Sequence, residues 1–280
     1  MGKDVEVNVP TALAELKEAI KDIIHEDALF EDDFYLLRWL KATKFNVKKA
    51  EKKLRKTGKW RKEIDMATLS KETFPDKLMD DVPIFVDTVT KDGAAVASLQ
   101  AGLMDIPRLF KEWGREKLVR HLMQAFGQAE SVLLFLDHRK YDGQPLTENS
   151  VNGAVFLIDA DKLSAKDMSS LDVIQTVTEV CKKLKKYFPL LACKLIAVNC
   201  TPVVDVVLKI ARTILEKANL KFEIYGKEEK SKWHEALQAQ IPVHLLRENF
   251  GGTRPKSDDD KRVNYIDKDQ IIPLLEELKL

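Results

Sequence analysis

The chain lacks the patterns on which most enzyme sites are built. No Gly-x-x-x-x-Gly-Lys-Ser/Thr loop, Gly-x-Gly-x-x-Gly turn, Gly-x-Ser-x-Gly elbow or His-Glu-x-x-His helix occurs in its 280 residues. That removes the common phosphate cradles, the serine nucleophile and the zinc helix. The five histidines stand singly, without a Cys, His or carboxylate at metal-ligand spacing, so no metal and no cofactor is expected. The three cysteines, Cys181, Cys193 and Cys200, are odd in number and form no CxxC pair. They fit reduced core thiols in a cytosolic protein. No apolar run approaches the ~20 residues of a membrane span, and Met1 to Glu6 offer no signal-peptide core. A myristoylation reading of Gly2 fails because Glu6 stands where Ser or Thr is required. The expectation is a protein that is neither secreted nor integral to a membrane.

What is present is the material of a large soluble α/β domain. Hydrophobic residues make up 45% and charged residues 32% of the chain, which suits a globular protein with a sizeable core. The most informative stretch is a strand, helix and strand over residues 194–226. Leu195 to Val198 is a near-continuous apolar run, the pattern of a parallel strand covered on both faces. Thr201-Pro202 then supplies a capping hydroxyl and a first-turn proline for a helix over residues 203–217. Its charged residues Asp205, Lys209, Arg212 and Glu216 stack in one narrow stripe, and nearly everything else is apolar. A crossover helix needs an apolar arc of roughly 100° to cover its sheet. The surplus on this helix requires a second partner, which is either another packed layer or the wall of a cavity for an apolar ligand.

The remaining elements read in order. Leu13, Leu16, Ile20, Ile23 and Ile24 fall at helical spacing with Thr11 as cap; a second helix begins at Asp32 or Asp33, and a third follows Asn46. Two strand-like runs, residues 83–87 and 94–99, are joined by Lys91-Asp92-Gly93, a hairpin signal. A long helix is expected over residues 115–136, a buried strand over 154–159, and a helix capped by Ser169 or Ser170 running through Lys186. Residues 256–262 have the composition of a charged linker, and the tail beyond is expected to form a short docked helix.

Charge is distributed unevenly. Between Lys41 and Lys62 lie eleven Lys or Arg against Glu51 alone, a net +10 that leaves −9 for the rest, since the whole chain carries +1. Such a segment is either a solvated helix face or a surface drawn to phosphate. Trp39, Phe45 and Trp60 lie nearby, but at core spacing beside Leu40, Val47 and Leu54 rather than as an exposed stacking platform. Nucleic acid is therefore not expected as a partner.

The string from Asp33 through Arg38-Trp39-Leu40-Lys41-Ala42-Thr43-Lys44-Phe45-Asn46-Val47, followed by Trp60-Arg61-Lys62, resembles the N-terminal helices of Sec14-like proteins of the CRAL-TRIO family. Tyr187-Phe188-Pro189, Asn199 before the apolar helix, and Ile241-Pro242-Val243 leading to Asn249-Phe250-Gly251-Gly252-Thr253 extend the resemblance to about residues 30–255. Leu190 departs from it, standing where the family often has Glu after the proline.

The resemblance implies an N-terminal three- to four-helix bundle (residues 1–75), a lipid-binding α/β domain (76–255) whose mixed, largely parallel sheet floors an apolar cavity, and a linker and tail (256–280) too short for a β-sandwich. It implies a non-enzymatic, cytoplasmic, monomeric carrier that touches membranes transiently. Its cargo would be a phospholipid, tocopherol, a retinoid or a sterol precursor, with a regulatory interaction module or a soluble α/β enzyme as alternatives. The cavity residues so implied are Phe156, Ile158, Val198, Cys200, Val203, Val204, Val207, Leu208 and Ala211, with Val207 and Leu208 on the membrane-facing gate. Glu179 and Lys221 fall where phosphoinositide-binding relatives contact the headgroup. Lys52, Lys56 and Lys59 are the candidates for docking on anionic membranes.

Overall fold

The computed structural model describes residues 8–254 apart from Asn219, together with residues 272, 273 and 276. The expectations for the first residues, the charged linker and the C-terminal tail lie outside the described residues.

Three helices come first: α1 (Val9–Ala19), α2 (Asp33–Ala42) and α3 (Val47–Glu63). Each starts where a short polar side chain accepts from exposed backbone N–H groups. Asn8 caps α1 through Thr11, so the cap lies three residues before the Thr11 expected for that role; Asp32 serves Phe34 and Tyr35, and Asn46 serves Lys49. Short helices α4 (Met66–Leu69) and α5 (Asp76–Asp81) lead to the antiparallel hairpin of β1 (Ile84–Val89) and β2 (Ala95–Leu99). Then follow α6 (Ile106–Tyr141), β3 (Ala154–Asp159), α7 (Ala165–Met168) and α8 (Leu171–Tyr187). The chain continues through β4 (Ala192–Cys200), α9 (Pro202–Leu215), β5 (Lys221–Gly226) and α10 (Lys230–Gln240).

The five strands lie in sequence order, β1-β2-β3-β4-β5, and every pair after the first is parallel. This order dictates the layers. Parallel crossovers are right-handed, and successive one-step crossovers in one direction put all their helices on one face of the sheet. So α6, α8 and α9 share a face, and α10 is left to cover the other. Strand alternation sorts the apolar residues accordingly. Leu195 and Ala197 join the cluster under α6, α8 and α9, whereas Val155, Leu157, Ile196 and Val198 join Trp233 and Leu237 of α10.

The N-terminal helices have a core of their own, with Leu16, Tyr35, Leu36, Trp39, Leu40 and Leu54 buried in it. Two buried ionic groups bind them to α6: Arg38 pairs with Asp137 and donates to the carbonyls of Asn152 (2.9 Å) and Leu190 (3.1 Å), while Arg61 joins Asp27 (2.6 Å) and Glu130 (3.1 Å). Trp60 of α3 stacks on Tyr187 of α8, ring centres 3.9 Å apart.

Candidate functional site

The apolar surplus of α9 is met by α8, against which it packs far more heavily than against β4. Between α9 and much of the sheet lies a cavity of about 330 Å³. Its walls come from α6 (Leu118, Leu122, Phe126), from an apolar stripe of α8 (Val173, Val177, Val180, Cys181, Leu184), from α9 and from the sheet, and no charged side chain lines it. Burial pushes the Cys181 thiol up to about 12, so it adds a neutral, weakly polar surface. A volume of this size is within the range of small-molecule sites. Such walls can hide hydrocarbon from water and offer no fixed charge for a reaction.

Of the cavity residues expected from the sequence, Phe156, Ile158, Val204, Val207, Leu208 and Ala211 line it. Val198 does not: it is one residue out of phase with Ala197 and faces α10. Cys200 and Val203 pack on the cavity-side cluster without lining the space. Val207 and Leu208 are buried and turned to the cavity; the exposed large apolar residue of α9 is Val206, 54% accessible. Thr201 stands at the start of α9 without a side-chain capping bond. The charged stripe is present as read, with Lys209 paired to Asp205 (2.9 Å) and Arg212 to Glu216 (2.8 Å).

A second, smaller pocket of about 70 Å³ adjoins the first, sharing Leu184, Leu191, Ala192, Leu215 and Leu220 with it. Here α3, α8 and the Pro189-Leu190 turn meet, and the pocket is lined by Lys53 and Lys185 but by no acid. Lys53 and Lys185 are both exposed residues; partial burial of the Lys53 amine, with the ammonium groups of Lys185 and Lys49 nearby, holds it below its ordinary range. An anion entering this pocket would find two lysines already close together. Neither lysine stood out in the sequence, where each belonged to a separate basic run.

The two expected headgroup residues lie elsewhere. Glu179 is on α8 with Arg115 (3.9 Å) and Lys183 (3.6 Å) as neighbours. Lys221 is exposed; Phe222 and Ile224 turn to the cavity side, so Lys221 turns, with its register partner Lys194, to the α10 face. Lys52, Lys56 and Lys59 are all exposed and, at spacings of four and three, form one row along α3. Trp39 and Trp60 are buried, as their spacing indicated. Among the described residues there is no cluster of three metal-ligating side chains, and no helix is long and apolar enough to cross a membrane.

A mostly parallel sheet, with α6, α8 and α9 on one face and an apolar cavity between them, is an architecture that can hold an apolar ligand. The chain belongs to the CRAL/TRIO family: the CRAL/TRIO domain model matches residues 79–252 and the CRAL/TRIO N-terminal domain model residues 12–56. It is similar to the SEC14 cytosolic factors of Yarrowia lipolytica, 27% identical over 245 residues, and of Eremothecium gossypii, 25% identical over 249. Each alignment takes in 86% of this chain, with 47% of the first protein and 75% of the second. The chain thus spans about half the length of the Yarrowia protein. Its fold is that of the crystal structure of Sfh5, with a TM-score of 0.65, 18% identity, and 99% and 98% of the two chains covered.

Proposed function

We propose that this protein binds one lipid molecule at a time and carries it between membranes. The apolar part of the lipid occupies the cavity under α9, and an anionic headgroup sits against Lys53 and Lys185. The observation that carries this reading is the adjacency of a cavity free of charged side chains and a pocket with two lysines and no acid. Hiding hydrocarbon is worth about 25 cal/mol per Å² of apolar surface, and a charge-assisted hydrogen bond to the head adds about 1.5–3 kcal/mol. This favours a phospholipid over tocopherol, a retinoid or a sterol precursor. It also accounts for Leu190 where relatives place Glu, since Leu190 lines the lysine pocket and leaves it without a competing acid.

On this reading the protein is a cytoplasmic monomer that binds rather than transforms its cargo. It docks reversibly through the row Lys52, Lys56 and Lys59, at ~1 kcal/mol per lysine that reaches an anionic bilayer. The test is transfer of phosphatidylinositol and of tocopherol between vesicles by the wild type and by the Lys53→Glu/Lys185→Glu variant. Phosphatidylinositol transfer should fall at least tenfold while tocopherol transfer holds. Equal losses for both, or no uptake of any lipid by the wild type, would overturn the assignment. A wild type that holds lipid without transferring it would support the regulatory reading.

A further inference from the structure

Helix α6 is broken. Gly114 has φ 69° and ψ 160°, so residues 106–113 run in a different direction from residues 115–141. This backbone conformation is essentially confined to glycine. A side chain added there would touch nothing within 4 Å, so glycine is required for its dihedral angles and not for lack of room. Both arms wall the cavity. The long arm supplies Leu118, Leu122 and Phe126, and the short arm, with the turn before it, supplies Ala101, Met104, Ile106, Leu109 and Phe110.

The short arm is fastened to α5 near its hinge. Arg108 pairs with Asp81, the Trp113 indole N–H donates to the other oxygen of Asp81 (3.0 Å), and Lys77 pairs with Glu112. The Trp113 ring is flanked by the ammonium groups of Lys77 (5.6 Å) and, from beyond the hinge, Lys117 (4.8 Å). Asp81 itself is buried. Helix α9, by contrast, packs on α7 and α8. The cavity therefore has two walls held by different neighbours.

We propose that residues 101–113 are a second movable wall, hinged at Gly114 and latched by Asp81, through which cargo enters and leaves independently of α9. The proposal rests on the carrier reading above. A side chain at residue 114 disfavours the break and favours a continuous helix, which would swing Phe110 and Leu109 off the cavity. Loss of Arg108 and the Trp113 indole would release the same arm by a different route.

The experiment loads the full-length protein with pyrenedecanoic acid and follows its release into phosphatidylcholine acceptor vesicles. The Arg108→Ala/Trp113→Phe variant should release the probe at least tenfold faster than the wild type, and Gly114→Ala should change the rate in the same direction. Release within twofold of the wild type in the folded double variant overturns the second wall and leaves the carrier reading standing. Failure of the wild type to take up the probe overturns both. Amide hydrogen exchange on the unaltered protein serves where a variant does not fold. Residues 106–113 should exchange at least a hundredfold faster than residues 118–134, and exchange of both arms as one unit overturns the proposal.

Discussion

Ala211 gives the sharpest discrimination between a packed helix and a cavity wall. It is buried on α9 and lines the cavity, and the two possibilities predict opposite signs for Ala211→Phe. In a filled core the added ring would overpack and destabilise the protein by about 1–3 kcal/mol. Beside a cavity of about 330 Å³ the ring enters existing space, so the melting temperature should hold or rise. The ring takes room from the cargo. Excluding about three methylene groups, at about 0.8 kcal/mol each, removes about 2.4 kcal/mol of binding, a weakening of roughly fifty-fold. Thermal unfolding of the delipidated protein and titration with a pyrene-labelled acyl chain measure the two quantities separately. A destabilised variant that binds the chain as well as the wild type would refute the cavity argument at its root.

Three further outcomes follow from other parts of the fold. His121 is buried with both ring nitrogens unpartnered against Phe74, and burial holds it down to about 4. Protonation on unfolding is therefore favoured below its ordinary range near 6.5, so its contribution is intact above that pH and is lost as pH falls toward 4, by up to about 3 kcal/mol. The His121→Phe variant should show a correspondingly shallower loss of stability between pH 6.5 and 4 in urea unfolding, and parallel curves would exclude the effect. Replacing Asp137 by Ala leaves the guanidinium of Arg38, 1% exposed, without its carboxylate and should destabilise by about 3–5 kcal/mol in the same assay. Charge reversal at Lys52, Lys56 and Lys59 should weaken binding to anionic vesicles at low salt and remove most of its salt dependence. Cosedimentation that is unchanged at all ionic strengths would make the row a solvated face.

The parts of this fold that were legible in the sequence are those set by local periodicity. β3 occupies the expected residues, the Asp-Gly turn joins β1 to β2, and the apolar excess on α9 correctly implied a partner beyond the sheet. A run buried on both faces, such as residues 195–198, does not say which residue faces which layer, and Val198 was misplaced for that reason. The break at Gly114 was missed because apolar spacing alone does not reveal a change of direction, and the expected helix simply began after it. Lys53 and Lys185 are 132 residues apart, and only the crossover that sets α8 beside α3 brings them together. Lys221 was assigned by alignment of a strand start, where a single step of the pleat decides the face.

On the carrier reading, the space beneath α9 ties the life of this protein to its supply of cargo. Unfilled core space costs stability, about 24 cal/mol per Å³ where a substitution has emptied a buried site, and a lipid filling the apolar space beneath α9 would recover part of such a loss. A lipid in that space acts as a non-covalent piece of the hydrophobic core, and binding to the folded state alone shifts the folding equilibrium by mass action. Chains without cargo should thus unfold sooner and be degraded faster than loaded ones. The abundance of the protein would then follow the availability of its lipid with no dedicated sensor.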